Sequence, residues 1–273
     1  MNAYVGCINR LSERSYESRK RYFSWAAQSG PTGKERIIYG TYTIYDTTDC
    51  KKNVEKANAL EPRDAALEAA AYADAVGRLE PLLKEADDYY KQENYKDDRM
   101  ARGKALHPRL VAAWDQFASA DRALRNGVEA VNDRRAAERL AEIEQKEGRK
   151  ARYHVEALMI HAKRVLRAEE MRNPDLAAIT QALNEYESLV GATEQISAAD
   201  GGAKIGSFFI GDAKTFLVTA KQLALDRSAR RTGGELPLPW GEGWGEGVRT
   251  IDRPYPLTRR AFALRAIARR RRA

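Results

Sequence analysis

The sequence is short of three things: aromatic residues, long apolar runs, and lysine near its C-terminal end. Aromatic residues make up 8% of the 273 residues while alanine is abundant, and a core rich in Ala and Leu is typical of closely packed helices. No run of about 18 apolar residues occurs, so no segment of the sequence is suited to span a membrane as a helix. Charged residues make up 32%, which indicates a large solvated surface such as long helices present.

Lysine is missing from residues 227–273, although this stretch contains 12 arginines and 4 acidic residues. These residues account for the whole formal net charge of +8. Residues 1–226 contain 35 basic and 35 acidic residues and are therefore neutral. A neutral body exerts no long-range attraction on a phosphate backbone, which argues against nucleic-acid binding by that part of the chain.

Apolar residues recur at three- and four-residue spacings along most of residues 1–230, which predicts helices. Ser15 and Ser18 lie in the middle of the first apolar stripe and weaken the prediction of a single buried face there. Pro81 lies inside another stripe, where we expect a kink rather than an end, since proline removes one helical hydrogen bond. The pattern predicts an all-α fold, an elongated antiparallel bundle of about five helices. The predicted helices cover residues 2–29, 62–94, 104–172, 174–198 and 207–231.

Residues 30–50 form the β-flavoured stretch of the sequence, with isoleucines and tyrosines close together. We predict a short β-like strap at residues 36–46, either a strand or hairpin or an extended segment that lies on the helices. The strap tyrosines and the aromatic end of the first helix form a candidate binding surface. The alternative is that the same rings pack the strap onto the bundle. The candidate residues are Tyr22, Phe23, Trp25, Tyr39, Tyr42 and Tyr45.

The composition changes abruptly after residue 230. Residues 231–273 hold 4 of the 9 prolines and the near-duplicated sequence WGEGWGEG, and glycine and proline at this density do not continue a helix. We therefore predict a helical domain at residues 1–230 and a disordered or irregular tail at 231–273, of the kind that a frameshift adds. The alternative is a basic arm, residues 259–272, that binds nucleic acid or acidic lipid.

No local constellation of a nucleophile and a base appears, and we predict no catalytic residue, no metal site and no cofactor. His154 and His161 lie about 10.5 Å apart along a helix, too far for one metal ion to bridge without other ligands. We interpret them, together with His107, as surface or groove residues. Residues 30–35, GPTGKE, lack the spacing and the Ser or Thr of a phosphate-binding loop and are interpreted as a turn.

Cys7 and Cys50 are candidates for a disulfide. The roughly 20 residues after the first predicted helix can span about 65 Å when extended, so they can bring Cys50 back to the level of Cys7. A bridge closes a loop of about 42 residues and contributes about 3–4 kcal/mol in the chain-entropy model. It requires an oxidising compartment, and the alternative is two buried free thiols in a cytosolic protein.

Three stretches, residues 4–25, 30–50 and 54–70, together resemble the YiiG-like family of bacterial proteins of unknown function. The resemblance extends from residue 1 to about residue 223. Members look like exported lipoproteins whose signal peptide and lipid-bearing cysteine lie upstream, which implies a periplasmic or cell-envelope location and a native start before Met1. If Met1 is the native start, a cytoplasmic location is expected. The family has no established functional residues, so the resemblance assigns none.

We therefore expect a non-enzymatic, envelope-associated helical bundle that acts in binding or scaffolding, with an envelope protein or polymer as its partner. The rival hypothesis is a cytosolic protein that binds nucleic acid or another acidic surface through its Arg-rich tail. A third hypothesis, an enzyme with a cleft between helices, has no local signal in the sequence to support it.

Overall fold

The computed structural model describes residues 1–61, 63–170, 175–199 and 205–232, and these residues form helices without any β-strand. The all-α prediction is confirmed. The described residues form seven α-helices rather than about five, and a 3₁₀ turn (Asn94–Lys96) follows the third. The helices are α1 (Asn2–Phe23), α2 (Thr47–Asn58), α3 (Arg63–Lys91), α4 (Ala101–Glu147), α5 (Ala151–Glu170), α6 (Leu176–Ala199) and α7 (Ser207–Thr232).

Residues 1–225 form one compact unit. Of the second unit, residues 226–273, only the helical residues 226–232 are described. The predicted tail from residue 233 onwards therefore lies outside the described part of the chain.

The observed helices differ from the predicted ones in several places, and α1 ends at Phe23 rather than at residue 29. α2 is a helix that the sequence did not indicate, because its twelve residues, TTDCKKNVEKAN, are mostly polar and bury only Thr47, Cys50 and Val54. The long helix predicted over residues 104–172 is divided at Gly148, whose φ of 74° lies in the left-handed region that glycine adopts without a steric penalty. α3 continues through Pro81, which agrees with the prediction that the helix does not end there.

The first hydrophobic core lies among α1, α2, α3 and α4. Tyr22, near the end of α1, packs against Tyr90, near the end of α3, with ring centroids 6.2 Å apart. Earlier in both helices, the hydroxyl oxygens of Ser12 and Tyr72 lie 2.8 Å apart. α1 and α3 therefore run in the same direction, and α4 returns antiparallel to α3 after the short 3₁₀ turn.

The strap, residues 36–46, lies between α1 and α3 and has neither helical nor strand structure. The backbone N–H of Tyr42 donates to the Ser18 hydroxyl of α1 at 3.1 Å, and the Thr41 hydroxyl donates to the Leu83 carbonyl of α3 at 2.7 Å. The extended alternative is therefore the one observed. α2 follows the strap and packs along α1. The pairs Cys7–Cys50 and Tyr4–Asn58 show that α2 runs antiparallel to α1.

The second hydrophobic core is formed by α5, α6 and α7. The Thr193 hydroxyl of α6 lies 3.4 Å from His154 Nδ1 of α5, and Glu185 Oε2 of α6 lies 3.6 Å from His161 Nδ1. α5 and α6 are therefore antiparallel. His154 is buried, so its interpretation as a surface or groove residue is wrong. It lies on the face of α5 that packs against α6, where Thr193 is its neighbour. The buried apolar residues include Leu158, Val165, Ile179, Leu183, Tyr186, Val190 and Leu217.

Acidification should destabilise the packing of α5 against α6. Burial lowers the pKa of both His154 and His161 below the ordinary value of 6.5, because an imidazolium loses hydration in the core, and Arg164 adds to the effect at His161. The unfolded chain therefore binds more protons than the folded one below about pH 6.5, and stability falls as the pH falls through that range. Denaturant unfolding of the wild type and of the His154→Gln/His161→Gln variant at several pH values measures this.

The variant should show a shallower loss of stability between about pH 7 and pH 5, since the remaining pH dependence comes from other groups. Equal pH dependence in the two proteins would contradict the assignment.

Candidate binding surface

Arg21 of α1 contacts both the backbone of the strap and the aromatic rings of its tyrosines. Arg21 Nε donates to the Gly40 carbonyl at 2.8 Å, and Nη1 donates to the Tyr42 hydroxyl at 3.2 Å. The guanidinium lies 4.8 Å from the ring centre of Tyr39 and 4.7 Å from that of Tyr42, and the Arg14 guanidinium lies 4.0 Å from the Tyr42 ring. Such cation–π contacts contribute about 0.5–1 kcal/mol each at exposed sites. The two arginines therefore fix the orientation of Tyr39 and Tyr42.

The six residues predicted as a binding surface separate into three groups by exposure. Tyr22 is fully buried, at 0% exposure, so its assignment to a surface is wrong: it lies at the centre of an aromatic cluster. The strap residues Tyr39 and Tyr45 are exposed by 43% and 67% of their surface. The half-buried residues are Phe23, Trp25 and Tyr42. We call Tyr39, Tyr42 and Tyr45 with Arg14 and Arg21 the strap surface; its rings and cations are suited to stacking on planar or apolar groups.

The aromatic cluster explains why Tyr22 and His107 are buried. The Tyr22 hydroxyl lies 2.9 Å from His107 Nδ1, and His107 Nε2 lies 3.1 Å from the Gln28 carbonyl oxygen. Because the carbonyl only accepts, Nε2 carries the proton and Nδ1 accepts from the tyrosine. Burial raises the pKa of Tyr22 to about 12. His107 is therefore not a surface or groove residue, because both ring nitrogens have partners inside the core.

Asp121 of α4 is a buried carboxylate that sequence reasoning missed. It accepts hydrogen bonds from the Ser12 hydroxyl at 2.6 Å, the Tyr16 hydroxyl at 3.0 Å and Arg125 Nε at 2.9 Å. Burial, followed by the Asp121 carboxylate, raises the pKa of Tyr16 to about 12. The available signal was its spacing of four from the core residue Phe117, since an aspartate at a core position needs buried donors.

The turn at residues 30–35 is closed by its own acidic residue. The Glu35 carboxylate accepts from the Thr32 hydroxyl at 2.9 Å and from the Gly33 N–H at 2.8 Å. Although burial favours a higher pKa for Glu35, the hydrogen bonds from Thr32 and Gly33 outweigh it and lower the pKa. The hydroxyl and amide groups of this segment are thus bonded to its own carboxylate, and the segment is a turn.

Cys7 of α1 and Cys50 of α2 are joined by a disulfide, with their Cα atoms 5.4 Å apart. Both cysteines are buried. The bond ties α2, and with it the C-terminal end of the strap, to α1.

Two other features are absent from the described ranges: a metal-binding cluster and a membrane-spanning helix. Among the described residues, no group of three or more His, Cys, Asp or Glu is arranged to hold a metal ion. None of the helices in that part of the chain combines the length and the apolar character needed to cross a membrane.

These features define an all-helical protein with a disulfide-linked first core and an aromatic strap. Residues 1–232 match the family described as "Protein of unknown function (DUF3829)", and the chain belongs to that family. It is 34% identical over 228 residues to the "Uncharacterized protein YiiG" of Escherichia coli strain K12, which covers 81% of this chain and 64% of the relative. The chain therefore spans slightly less than two thirds of that relative's length. No solved structure matches it.

Replacing Gly40 with alanine should loosen the strap. A Cβ at this position would overlap the buried Asp87 carboxylate and press on Lys91, so the strap or the carboxylate must shift. We expect Gly40→Ala to destabilise the protein by about 1–3 kcal/mol in urea unfolding of the oxidised protein. The matched control is Gly77→Ala, where a Cβ meets open space inside α3 and should stabilise by up to about 1 kcal/mol. A neutral result at Gly40 would show that the strap does not depend on this close approach.

Replacing Asp121 should cost more than replacing an exposed aspartate on the same helix. Asp121→Ala removes the acceptor of the buried Ser12 hydroxyl and of the part-buried Tyr16 hydroxyl, and we expect a loss of about 1–3 kcal/mol. Asp115, which pairs with Arg19 at 2.8 Å and is 59% exposed, is the control. Asp115→Ala should change stability by at most about 1 kcal/mol. Equal effects in urea unfolding would mean that the buried network does not stabilise the core.

Proposed function

We propose that this protein is a non-enzymatic binding or scaffolding module of the bacterial cell envelope, and that the strap surface contacts its partner. The observation that carries the proposal is the exposure of Tyr39 and Tyr45 on a segment that Arg21 holds in place. Rings that are already ordered lose little entropy on binding, and tyrosine is enriched in protein interfaces.

The Cys7–Cys50 disulfide supports an envelope location for this function. Disulfides form and persist in oxidising compartments such as the periplasm and are rare in the cytosol. The bond also supports the binding role, because it restrains the helix into which the strap runs. The partner class is an envelope protein or polymer.

The non-enzymatic part of the proposal is supported by how the buried polar groups are used. Asp121 accepts from Ser12 and Tyr16, and His107 bonds to Tyr22 and to a backbone carbonyl. These side chains hold α1 against α4, which accounts for their burial without a reaction.

Site-specific cross-linking at the strap tests the binding role. A photoreactive phenylalanine analogue at position 45 or 39, in the protein exported to the periplasm of bacterial cells, should yield a discrete adduct. The same analogue at Leu67 of α3, which is 62% exposed, should not. Adducts of equal yield at all three positions, or none at 39 and 45, would contradict a contact role for the strap.

Thiol trapping of the same cells tests the location. With maleimide applied in denaturant before reduction, Cys7 and Cys50 should stay unmodified, and the protein should fractionate with the envelope. Free thiols in a cytosolic fraction would instead favour the rival function of the Arg-rich tail. That rival predicts DNA affinity that falls steeply with salt and disappears when residues 233–273 are removed.

A further inference from the structure

A groove of about 480 Å³ lies between α1 and α2, apart from the strap surface. Its volume is within the range of about 300–1,000 Å³ that small-molecule sites occupy. The floor is formed by the Cys7–Cys50 disulfide and by small residues, Ala3 and Gly6 of α1 and Ala57 of α2. Small side chains on both helices leave the space that the groove occupies.

Two observations show that the floor is open and apolar. A Cβ built on Gly6 would meet no atom within 4 Å, so the space above this residue is free. At one end the groove is bordered by Leu60, which is 84% exposed although it is a large apolar residue. Burying such apolar surface stabilises a complex by about 25 cal/mol per Å². An apolar ligand moiety is thus the natural occupant of the floor.

The charged residues of the groove are all of one sign. Arg10 and Lys56 line it, and no acidic residue does. Lys56 makes no ion pair with any described residue, and Arg10 contacts Asp46 at 3.5 Å, outside the groove lining. Because residues 1–226 are neutral overall, this one-signed lining does not simply reflect composition. Cations beside an apolar floor favour a ligand that is itself anionic and apolar.

We propose that the α1–α2 groove binds an anionic single-chain amphiphile of the fatty-acid class. The acyl chain lies along Ala3, Gly6 and Leu60, and the carboxylate pairs with Arg10 or Lys56. The Asn53 amide, which also lines the groove, provides a hydrogen-bond donor to the same head group. This site is independent of the proposed role of the strap.

Titration calorimetry of the oxidised full chain with dodecanoate, below its micelle concentration, tests the proposal. We expect saturable binding of dodecanoate with one site per chain. Acetate, which has no chain, and dodecyltrimethylammonium, which has the opposite charge, should not bind measurably. Equal binding of the cationic and anionic amphiphiles would overturn the proposal, because it would remove any role for Arg10 and Lys56.

Two pairs of variants place the ligand in the groove. Gly6→Leu fills the open floor and should abolish binding, whereas Gly6→Ala should retain it. Lys56→Glu should weaken binding about tenfold, whereas Lys52→Glu, on α2 but outside the groove lining, should leave it unchanged. Circular dichroism and non-reducing mass analysis check that each variant is folded and oxidised. If Gly6→Leu does not fold, the comparison of Lys56→Glu with Lys52→Glu still tests the proposal.

A membrane surface is the other source of anionic amphiphile, and a vesicle arm separates it from the groove. The fraction of protein that sediments with phosphatidylglycerol vesicles should be no larger for the wild type than for Gly6→Leu. If dodecanoate fails to bind while the vesicles capture both proteins equally, the cations act on a lipid surface and the groove is not the site.

Discussion

The insertion of one extended segment between α1 and α3 constrains the rest of the first core. A helix needs 8–10 Å between its axis and that of a neighbour, whereas an extended chain is much thinner. Residues that face the strap must therefore be small or must lie across it. Ser18, which accepts from the Tyr42 N–H, is fully buried and small, Gly40 of the strap lies close to the Asp87 carboxylate, and Arg21 donates to the Gly40 carbonyl. The polar middle of α1 is thus the place where the strap is accommodated.

The same constraint determines which side chains remain exposed. A segment that lies against two helices buries the side chains that face them and leaves the others exposed, and in the strap the two kinds do not alternate strictly. Thr41 and Ile44 point into the core and are buried, while Tyr39 and Tyr45 are exposed. Aromatic exposure on the strap is therefore a consequence of how the groove is filled, and the arginines of α1 convert it into an ordered surface. Packing and binding are not exclusive interpretations of these rings.

The sequence predicted what depends on local pattern. The helical spacing of apolar residues predicted that α3 continues beyond Pro81, and the isoleucines and tyrosines of residues 36–46 predicted the strap. What it did not predict depends on partners distant in sequence. Tyr22 was predicted to be a surface residue because its partner, His107, is 85 residues away in sequence. Asp121 can be buried because Ser12 and Tyr16, which are also distant in sequence, donate hydrogen bonds to it. A one-dimensional pattern assigns a face to a residue but does not identify what packs against that face.

α2 shows how far these distant partners can determine structure. A helix of twelve mostly polar residues without a side-chain N-cap is marginal in isolation, because short helices rarely offset the cost of nucleation. Its tertiary contacts with α1 include the Cys7–Cys50 bond and the hydrogen bond from the Tyr4 hydroxyl to Asn58 at 2.7 Å. The strap runs into α2, and α2 forms one wall of the apolar groove. The Cys7–Cys50 bond therefore restrains the helix that both surfaces share, and α3 supports the same helix through the ion pair of Lys51 with Asp74 at 2.9 Å.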